Sequence, residues 1–275
     1  MFNKVPWSKI SMVLGLIFLY TPIIILIAYS FNASNLVTVW SNFSTRWYST
    51  LWMDEELIAS AINSIKIAAY SATIAVILGT MAGIALLRFG LFKGKTMFTG
   101  MLAAPFIIPE VITGFSLLLL FVAVEQIISW PQKGILTVVL AHSTIGMAYV
   151  AVIVRARLTA FDHSLEEAAQ DLGAHPLKAF TVITLPIIAN SLVAGWLLSF
   201  TLSLDDLVIA RFTSGPGATT LPMLIYSRVR LGISPQINAL ASIMVAFVIT
   251  TIFIAYLVSI RKTNKTKYDS NISKI

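Results

Sequence analysis

Cysteine is absent from the 275-residue chain, and charged side chains make up only 11% of it. The lack of cysteine excludes disulfides, thiol chemistry and cysteine-based metal sites. A soluble domain normally carries about 25% charged residues, so the scarcity of charge indicates an integral membrane protein. Hydrophobic residues account for 57% of the chain, and the mean hydropathy is +0.87. The sequence therefore predicts an all-α, polytopic membrane protein.

Motifs for catalysis, metal binding and nucleotide binding are also lacking. The three histidines, His142, His163 and His175, have neither metal-ligand spacing nor acidic partners at helical distance, so we interpret them as polar interface or loop residues. The run GLFKGKT at 90–96 resembles a phosphate-binding loop, but its glycines are separated by three residues instead of four. We interpret it as a basic turn. We predict no catalytic residue, no metal site and no cofactor bound by this chain.

Six apolar segments are long enough to cross a bilayer, which requires about 20 residues each. They are predicted at about residues 10–31, 57–87, 97–124, 135–154, 186–204 and 237–260. Pro105 and Pro109 interrupt the third segment. The aromatic stretch FSTRWYSTLW at 43–52 is predicted to form a short helix along the membrane surface. The segment 205–236 contains an apolar piece too short to span, LPMLIYS, so we interpret it as an outer loop or partial re-entrant segment.

The distribution of Lys and Arg predicts the orientation. With the N-terminus inside, the cytoplasmic segments hold most of the 19 basic residues, including Arg88, Arg155 and Arg157. Basic loops favour the cytoplasmic side, which also explains a net charge of +7 without invoking nucleic acid. The predicted organisation is a cytoplasmic N-terminus at 1–9, a transmembrane domain at 10–260 and a cytoplasmic tail at 261–275. The loop at 155–185 then lies in the cytoplasm.

Three acidic residues lie in or at the end of apolar segments. Glu110 follows Pro109 about halfway along the third, and Asp205 and Asp206 end the fifth. Because an acidic side chain at the bilayer centre costs about 2.5–3.5 kcal/mol, such residues usually face a pathway or a partner. For Glu110, an alternative role is to pair with backbone groups that the prolines leave without a hydrogen bond. For the Asp pair, the alternative is helix capping or solvation at the membrane interface. An acidic pathway would suit a cationic solute.

The cytoplasmic loop contains a capped amphipathic helix. Ser164 and Glu167 have the spacing of an S-x-x-E capping box. Apolar residues recur along one helical face, Gly173 follows at the position that favours a left-handed residue, and Pro176 blocks continuation. A short helix of this kind is typical of a docking element or an interfacial brace.

The same loop carries a family resemblance. Glu167, Ala168 and Ala169 are followed after three residues by Gly173, and after nine more by Ile183-Thr184-Leu185-Pro186. This spacing resembles the EAA signature of the permeases of ABC importers. YSFNASNLVTVW, STRWY, FTLSLDDLVIA and SGPGATTLPM resemble the second membrane subunit of polyamine importers, and the putrescine system more than the spermidine-preferring one.

The resemblance implies a type I importer permease with six transmembrane helices in a bacterial inner membrane. It implies a transport subunit rather than an enzyme. The implied partners are an ATPase dimer that uses the ATP, a second permease chain, the surrounding membrane lipid and a periplasmic polyamine-binding protein. The implied ATPase-coupling residues are Glu167, Ala168, Ala169, Leu172, Gly173, Ile183, Leu185 and Pro186. Spermidine or another small solute remains an alternative cargo, and a stand-alone secondary transporter or channel remains an alternative class.

Overall fold

Long apolar helices make up most of the computed structural model, which describes residues 7–36, 39–162, 164–232, 234–247 and 249–250. In chain order the helices are α1 Trp7–Ser30, α2 Arg46–Trp52, α3 Glu55–Arg88, α4 Lys95–Ile107, α5 Glu110–Ile128, α6 Ile135–Thr159, α7 Ser164–Asp171, α8 Pro176–Ala179, α9 Leu185–Asp205, α10 Val208–Thr213, α11 Leu221–Leu231 and α12 Pro235–Phe247. Within the described residues, the only β-type pairing is an isolated bridge between Asn32 and Phe43. The predicted all-α class is confirmed.

Five stretches of helix in the described part of the chain are long and apolar enough to cross a membrane: Lys9–Ser30, Glu55–Arg88, Glu110–Ile128, Ile135–Thr159 and Pro176–Asp205. The first, second and fourth agree with the predicted spans to within a few residues. Helix α12 covers the start of the predicted sixth span. The rest of that span after residue 250, the tail at 261–275 and residues 1–6 lie outside the described residues.

The third predicted span, which Pro105 and Pro109 were expected to interrupt, is divided into α4 and α5. The interruption at Pro109 is confirmed, because the break falls at Ile108 and Pro109, whereas Pro105 lies inside α4 without breaking it. Ile108 is extended, with φ −81° and ψ 131°, because the ring of a following proline disfavours helical backbone. The interruption therefore lies beside Glu110, the first residue of α5.

The helix of the fifth span begins at Pro176, well before the predicted start at Pro186. A π-helical turn, Phe180–Thr184, connects α8 to α9, and its wider ring is closed by the Leu185 N–H donating to the Phe180 carbonyl. In a regular α-helix the Pro186 ring would clash with the carbonyl four residues earlier. The π-helical turn displaces that carbonyl, so the helix continues through the proline.

The chain separates into two units, 56–226 and the described parts of 1–55 with 227–275. In the first unit, α3, α6 and α9 enclose a core of Ala75, Val150, Val154, Leu158 and Ile188. Small residues allow these helices to approach closely, as is common in membranes. A Cβ built on Gly146 would lie 2.9 Å from the Ala75 Cβ and would collide with Ser199 Oγ.

The second unit contains α1, α2 and the residues that join them. Asn32 is fully buried there: its Nδ2 donates to the Val39 carbonyl at 2.7 Å, and its Oδ1 accepts from the Ser41 N–H at 3.0 Å. Helix α2 confirms the short helix predicted in FSTRWYSTLW. An ion pair joins Asp54 to Arg228, which lies in the last turn of α11.

Candidate functional site

A cavity of about 350 Å³ lies in the unit 56–226, and its wall contains all three acidic residues singled out from the sequence. Glu110, Asp205 and Asp206 share it with the polar residues Thr113, His142, Tyr149, Ser199 and Ser203. No Lys or Arg belongs to this lining of described residues. The cavity therefore combines several carboxylates with hydroxyl groups and an imidazole.

The carboxylates are positioned by two interruptions of membrane helices. Glu110 begins α5 directly after the break at Pro109. Asp205 ends α9, and Asp206 then adopts extended backbone with φ −67° and ψ 126°. The Ala210 N–H donates to Asp206 Oδ1 at 2.7 Å, so Asp206 also caps α10. The sequence left open whether the Asp pair caps a helix or lines a pathway. Asp206 does both, since it caps α10 and lies in the cavity wall.

The histidine of the cavity was missed by the sequence interpretation. His142 lies in the first third of α6 and is 5% exposed, and its Nδ1 lies 2.6 Å from Ser203 Oγ. Its Nε2 lies 3.3 Å from Asp206 Oδ1. The Ser71 hydroxyl donates to Ser203 Oγ at 3.1 Å and extends the network to α3. The position of His142 within an apolar span was the signal that could have revealed it, because ionisable residues there usually face a cavity.

An aromatic pair adds a second kind of surface to the cavity. Tyr149, which lines it, meets Phe106 with ring centroids 4.6 Å apart and planes at 75°. Phe106 lies near the end of α4, next to Pro105 in the cavity wall. The face of an aromatic ring carries partial negative charge, so an aromatic ring in the wall is compatible with a cationic solute.

The helix at the second predicted site, α7, ends in a Schellman motif. The Gly173 N–H donates to the Gln170 carbonyl at 2.8 Å, and the Ala174 N–H donates to the Ala169 carbonyl at 3.0 Å. Gly173 has φ +86°, the left-handed backbone that the motif requires. At the start of the helix, the Asp162 carboxylate accepts from the Ser164 N–H at 3.0 Å. Ser164 is thus the first residue of the helix, and Asp162 provides the side-chain oxygen that the prediction assigned to Ser164.

The two sides of α7 differ sharply in burial. Glu166 is 8% exposed, and its Oε1 lies 2.8 Å from the Arg88 Nη2 at the end of α3. Beyond the end of α7, Leu172 is 91% exposed, and Leu177, at the start of α8, is 69% exposed. Glu166 therefore fixes α7 to this chain, while the segment that follows α7 presents apolar side chains outward.

The predicted coupling residues fall on two elements. On α7 and its exit, Glu167, Ala168, Leu172 and Gly173 are exposed, and Ala169 is half-buried. Ile183 lies in the π-helical turn, and Leu185 and Pro186 begin α9. The signature residues at 183–186 therefore form the helical entry into the membrane span.

The run GLFKGKT forms the turn between α3 and α4. Gly90 and Gly94 have φ of +61° and +87°, and the Lys95 Nζ donates to the Gly90 carbonyl at 2.6 Å. The side chain of the loop's second lysine is thus directed at its own backbone. This geometry agrees with a basic turn.

Residues 75–263 match the family model described as "Binding-protein-dependent transport system inner membrane component". The chain belongs to this family. It is 55% identical over 252 residues to the putrescine transport system permease protein PotI of Escherichia coli (strain K12), covering 91% of this chain and 90% of that protein. It is 39% identical over 246 residues to the spermidine/putrescine transport system permease protein PotC of the same strain, covering 90% of this chain and 91% of that protein.

Solved structures agree at the level of the fold. A bacterial ABC transporter involved in the import of the acidic polysaccharide alginate aligns with a TM-score of 0.70 at 16% identity, covering 94% of this chain and 97% of that one. The alginate transporter in complex with a pentasaccharide-bound periplasmic protein gives a TM-score of 0.67 at 18% identity, covering 90% of this chain and 92% of that one. The predicted ABC importer permease fold is confirmed.

Membership in this family confirms further expectations drawn from the resemblance. This inner-membrane component is a multi-pass transport subunit and not an enzyme. The stand-alone secondary transporter or channel fits these relatives less well than a subunit of an ABC importer. The orientation of the termini and the roles of the site residues remain predictions.

Proposed function

We propose that this chain is a membrane-spanning permease subunit of an ATP-driven importer that moves putrescine, or a related polyamine, into the cytoplasm. The observation that supports this most directly is the cavity wall, in which Glu110, Asp205 and Asp206 meet without a Lys or Arg among the described lining residues. Putrescine is a diamine with a positive charge at each end. A lining rich in carboxylates attracts such a solute and repels anions.

The backbone around the cavity supports the same preference for cations. Helix α4 ends at Ile107, so the negative end of its dipole lies beside Ile108 in the cavity wall. Helix α5 begins there with its positive end, and Glu110 at its first position offsets that charge. Interrupted membrane helices that offer one end to a solute are a recurrent device of transporters. The break therefore adds negative potential where a cation would bind.

The external surface of α7 supports coupling to a separate ATPase. Leu172 is apolar, almost fully exposed and close in sequence to the half-buried or exposed Glu167, Ala168 and Ala169. In this proposal, the ATPase dimer contacts this surface and Gly173, and closure on ATP moves α7. ATP shifts the transporter only because it binds one conformation better than the other. The residues at 183–186 then pass the movement into α9.

The remaining partners are proposed from the family and its relatives. A binding-protein-dependent system requires an external solute-binding protein, and a polyamine-binding protein fits the acidic cavity. A second, different permease chain completes the membrane domain, and ATP is used by the partner ATPase. Both relatives are polyamine permeases by name, and the higher identity to PotI favours putrescine over spermidine as the principal cargo.

The deciding experiment is uptake of labelled putrescine and spermidine by the complete importer in proteoliposomes. We expect ATP-dependent uptake of putrescine only when the ATPase, the second permease and the binding protein are all present. Uptake by this chain alone under an ion gradient would contradict the proposal and favour a secondary transporter. Uptake of spermidine in clear preference to putrescine would retain the permease assignment and change the cargo.

A further inference from the structure

One polar atom in the cavity wall is buried without a hydrogen bond. Nε2 of His142 is shielded from solvent and has no hydrogen-bond partner among the described residues. It lies 3.3 Å from Asp206 Oδ1, a distance at which the two atoms interact electrostatically although the ring N–H direction is not aligned with the carboxylate. A buried polar atom without a hydrogen bond destabilises the structure, so it calls for a ligand or a proton.

The rest of the imidazole is held in place. Nδ1 lies 2.6 Å from Ser203 Oγ, and that oxygen also accepts from the Ser71 hydroxyl at 3.1 Å. When Nδ1–H donates to Ser203, Nε2 carries a lone pair and lies 3.3 Å from the Asp206 carboxylate. Two acceptors this close repel each other unless a donor lies beside them. The serine network thus orients the ring so that Nε2 and Asp206 Oδ1 form a pair.

We propose that His142 Nε2 and Asp206 Oδ1 together accept one primary ammonium group of the transported amine, and that a proton on Nε2 competes with that group. This inference rests on the proposed function. An ammonium has three N–H donors and serves both acceptors at once when the cavity widens enough to expose Nε2. An imidazolium instead neutralises Asp206 and repels the incoming cation. His142 then acts as a substrate contact whose charge controls the affinity of the cavity for amines.

The proton competition predicts that amine uptake falls as the pH is lowered, because a proton on Nε2 opposes binding of the cation. The other titratable groups that line the cavity are Glu110 of α5, Tyr149 of α6, Asp205 of α9 and Asp206 after it. Ser71 and Ser203, from α3 and α9, are neutral. Replacement of the histidine itself is therefore the way to assign the response.

The test uses the complete importer in proteoliposomes with saturating putrescine-loaded binding protein, between pH 5.5 and 7.5. Uptake is divided by ATP hydrolysis measured in the same vesicles, which removes the pH response of the ATPase. For the wild type, we expect this ratio to fall at least about fivefold on acidification. H142Q keeps an uncharged acceptor, so we expect substantial uptake and less than a twofold change over the same range.

A permanent cation at this position mimics the imidazolium. We expect H142K to lower uptake at least tenfold at pH 7.5, with the assembled complex recovered in normal yield. The matched control is T144V, because Thr144 lies on the same helix but is exposed and outside the cavity lining. It should behave as the wild type. An H142Q variant with the wild-type pH response, or an H142K variant with normal uptake, would overturn the proposal.

A measurement on the wild type alone tests the proposal without relying on variants that fail to assemble. Putrescine should raise the melting temperature of the purified complex more at pH 7.5 than at pH 5.5. Its bis-quaternary analogue has both charges but no N–H donors, so it should give a smaller shift at pH 7.5. Equal shifts by the two compounds would contradict the paired-acceptor site. Lack of any ATP-dependent putrescine uptake by the wild type would instead overturn the proposed function.

Discussion

The guanidinium of Arg88 and the carboxylate of Glu166 lie 2.8 Å apart and join the end of α3 to α7. Both side chains are largely buried, at 23% and 10% exposure. The pair therefore fixes one side of α7 to this chain, while Glu167 in the next position is exposed. Adjacent glutamates in the same helix thus have different environments: one holds the helix, and the other faces outward.

Breaking this ion pair should weaken coupling more than assembly. We expect R88Q and E166Q each to lower putrescine uptake per ATP hydrolysed, because α7 would move without carrying α3. The reversed pair R88E/E166R should recover part of the loss. A double-mutant cycle on the melting temperature of the complex should give a coupling energy of about 0.5–3 kcal/mol. Strictly additive single effects would mean that the two residues act independently.

Substitutions at the exit of α7 should uncouple the ATPase. Gly173→Val places a β-branched side chain at φ +86°, which costs about 1–3 kcal/mol. Glu167→Arg reverses the charge on the exposed side. Both should reduce polyamine-stimulated ATPase activity at least severalfold while membrane insertion stays normal. Gly173→Asn is the matched control, because asparagine tolerates left-handed backbone. Normal stimulation in the valine and arginine variants would contradict the docking role.

Neutralising the cavity carboxylates should impair transport of a cation. Glu110→Gln and Asp205→Asn should each lower the rate of putrescine uptake about tenfold with little change in the yield of the complex. Asp206→Ala should also lower the melting temperature, because it removes the oxygen that accepts the Ala210 N–H at the start of α10, whereas Asp206→Asn keeps an acceptor there. Unchanged uptake in the first two variants would identify these carboxylates as structural braces.

The close packing of α3, α6 and α9 at Gly146 should not tolerate a methyl group. Gly146→Ala would place Cβ against Ser199 and 2.9 Å from the Ala75 Cβ, and overpacking of this kind costs about 1–3 kcal/mol. Gly100→Ala in α4 has nothing within 4 Å of the added atom. It should be neutral or stabilise by up to about 1 kcal/mol through helix propensity. Thermal unfolding of the purified complex compares the two, and equal melting temperatures would disprove the packing argument.

Local signals were sufficient for much of the fold. Apolar length predicted most of the spans, and Gly173 predicted the end of α7, since a left-handed residue after a helix is encoded within a few residues. The three acidic residues were recognised individually from their cost in an apolar segment. Their meeting in one cavity was not predictable, because it depends on how α5, α9 and α10 pack.

Long-range contacts account for what the sequence did not reveal. His142 and Ser203 are 61 residues apart, and Arg88 and Glu166 are 78 residues apart. A search for partners at helical spacing therefore leaves His142 without an apparent role. Likewise, Arg88 counts only as a cytoplasmic charge until α3 and α7 are in contact. The start of the fifth helix was placed too late because Pro186 suggests a boundary unless the helix widens before it.

The π-helical turn at Phe180–Thr184 sets the rotational phase between α8 and α9. Each residue of an α-helix advances the direction of its side chain by about 100°. Removing one residue from the turn would therefore rotate Leu177 by about that angle relative to the buried Ile188 and move it around the helix axis. It would also return a carbonyl to the path of the Pro186 ring. The direction of the exposed surface at α8 thus depends on the number of residues in this turn. Deletion of Thr181 or Val182 would misalign that surface although every side chain of the signature is retained.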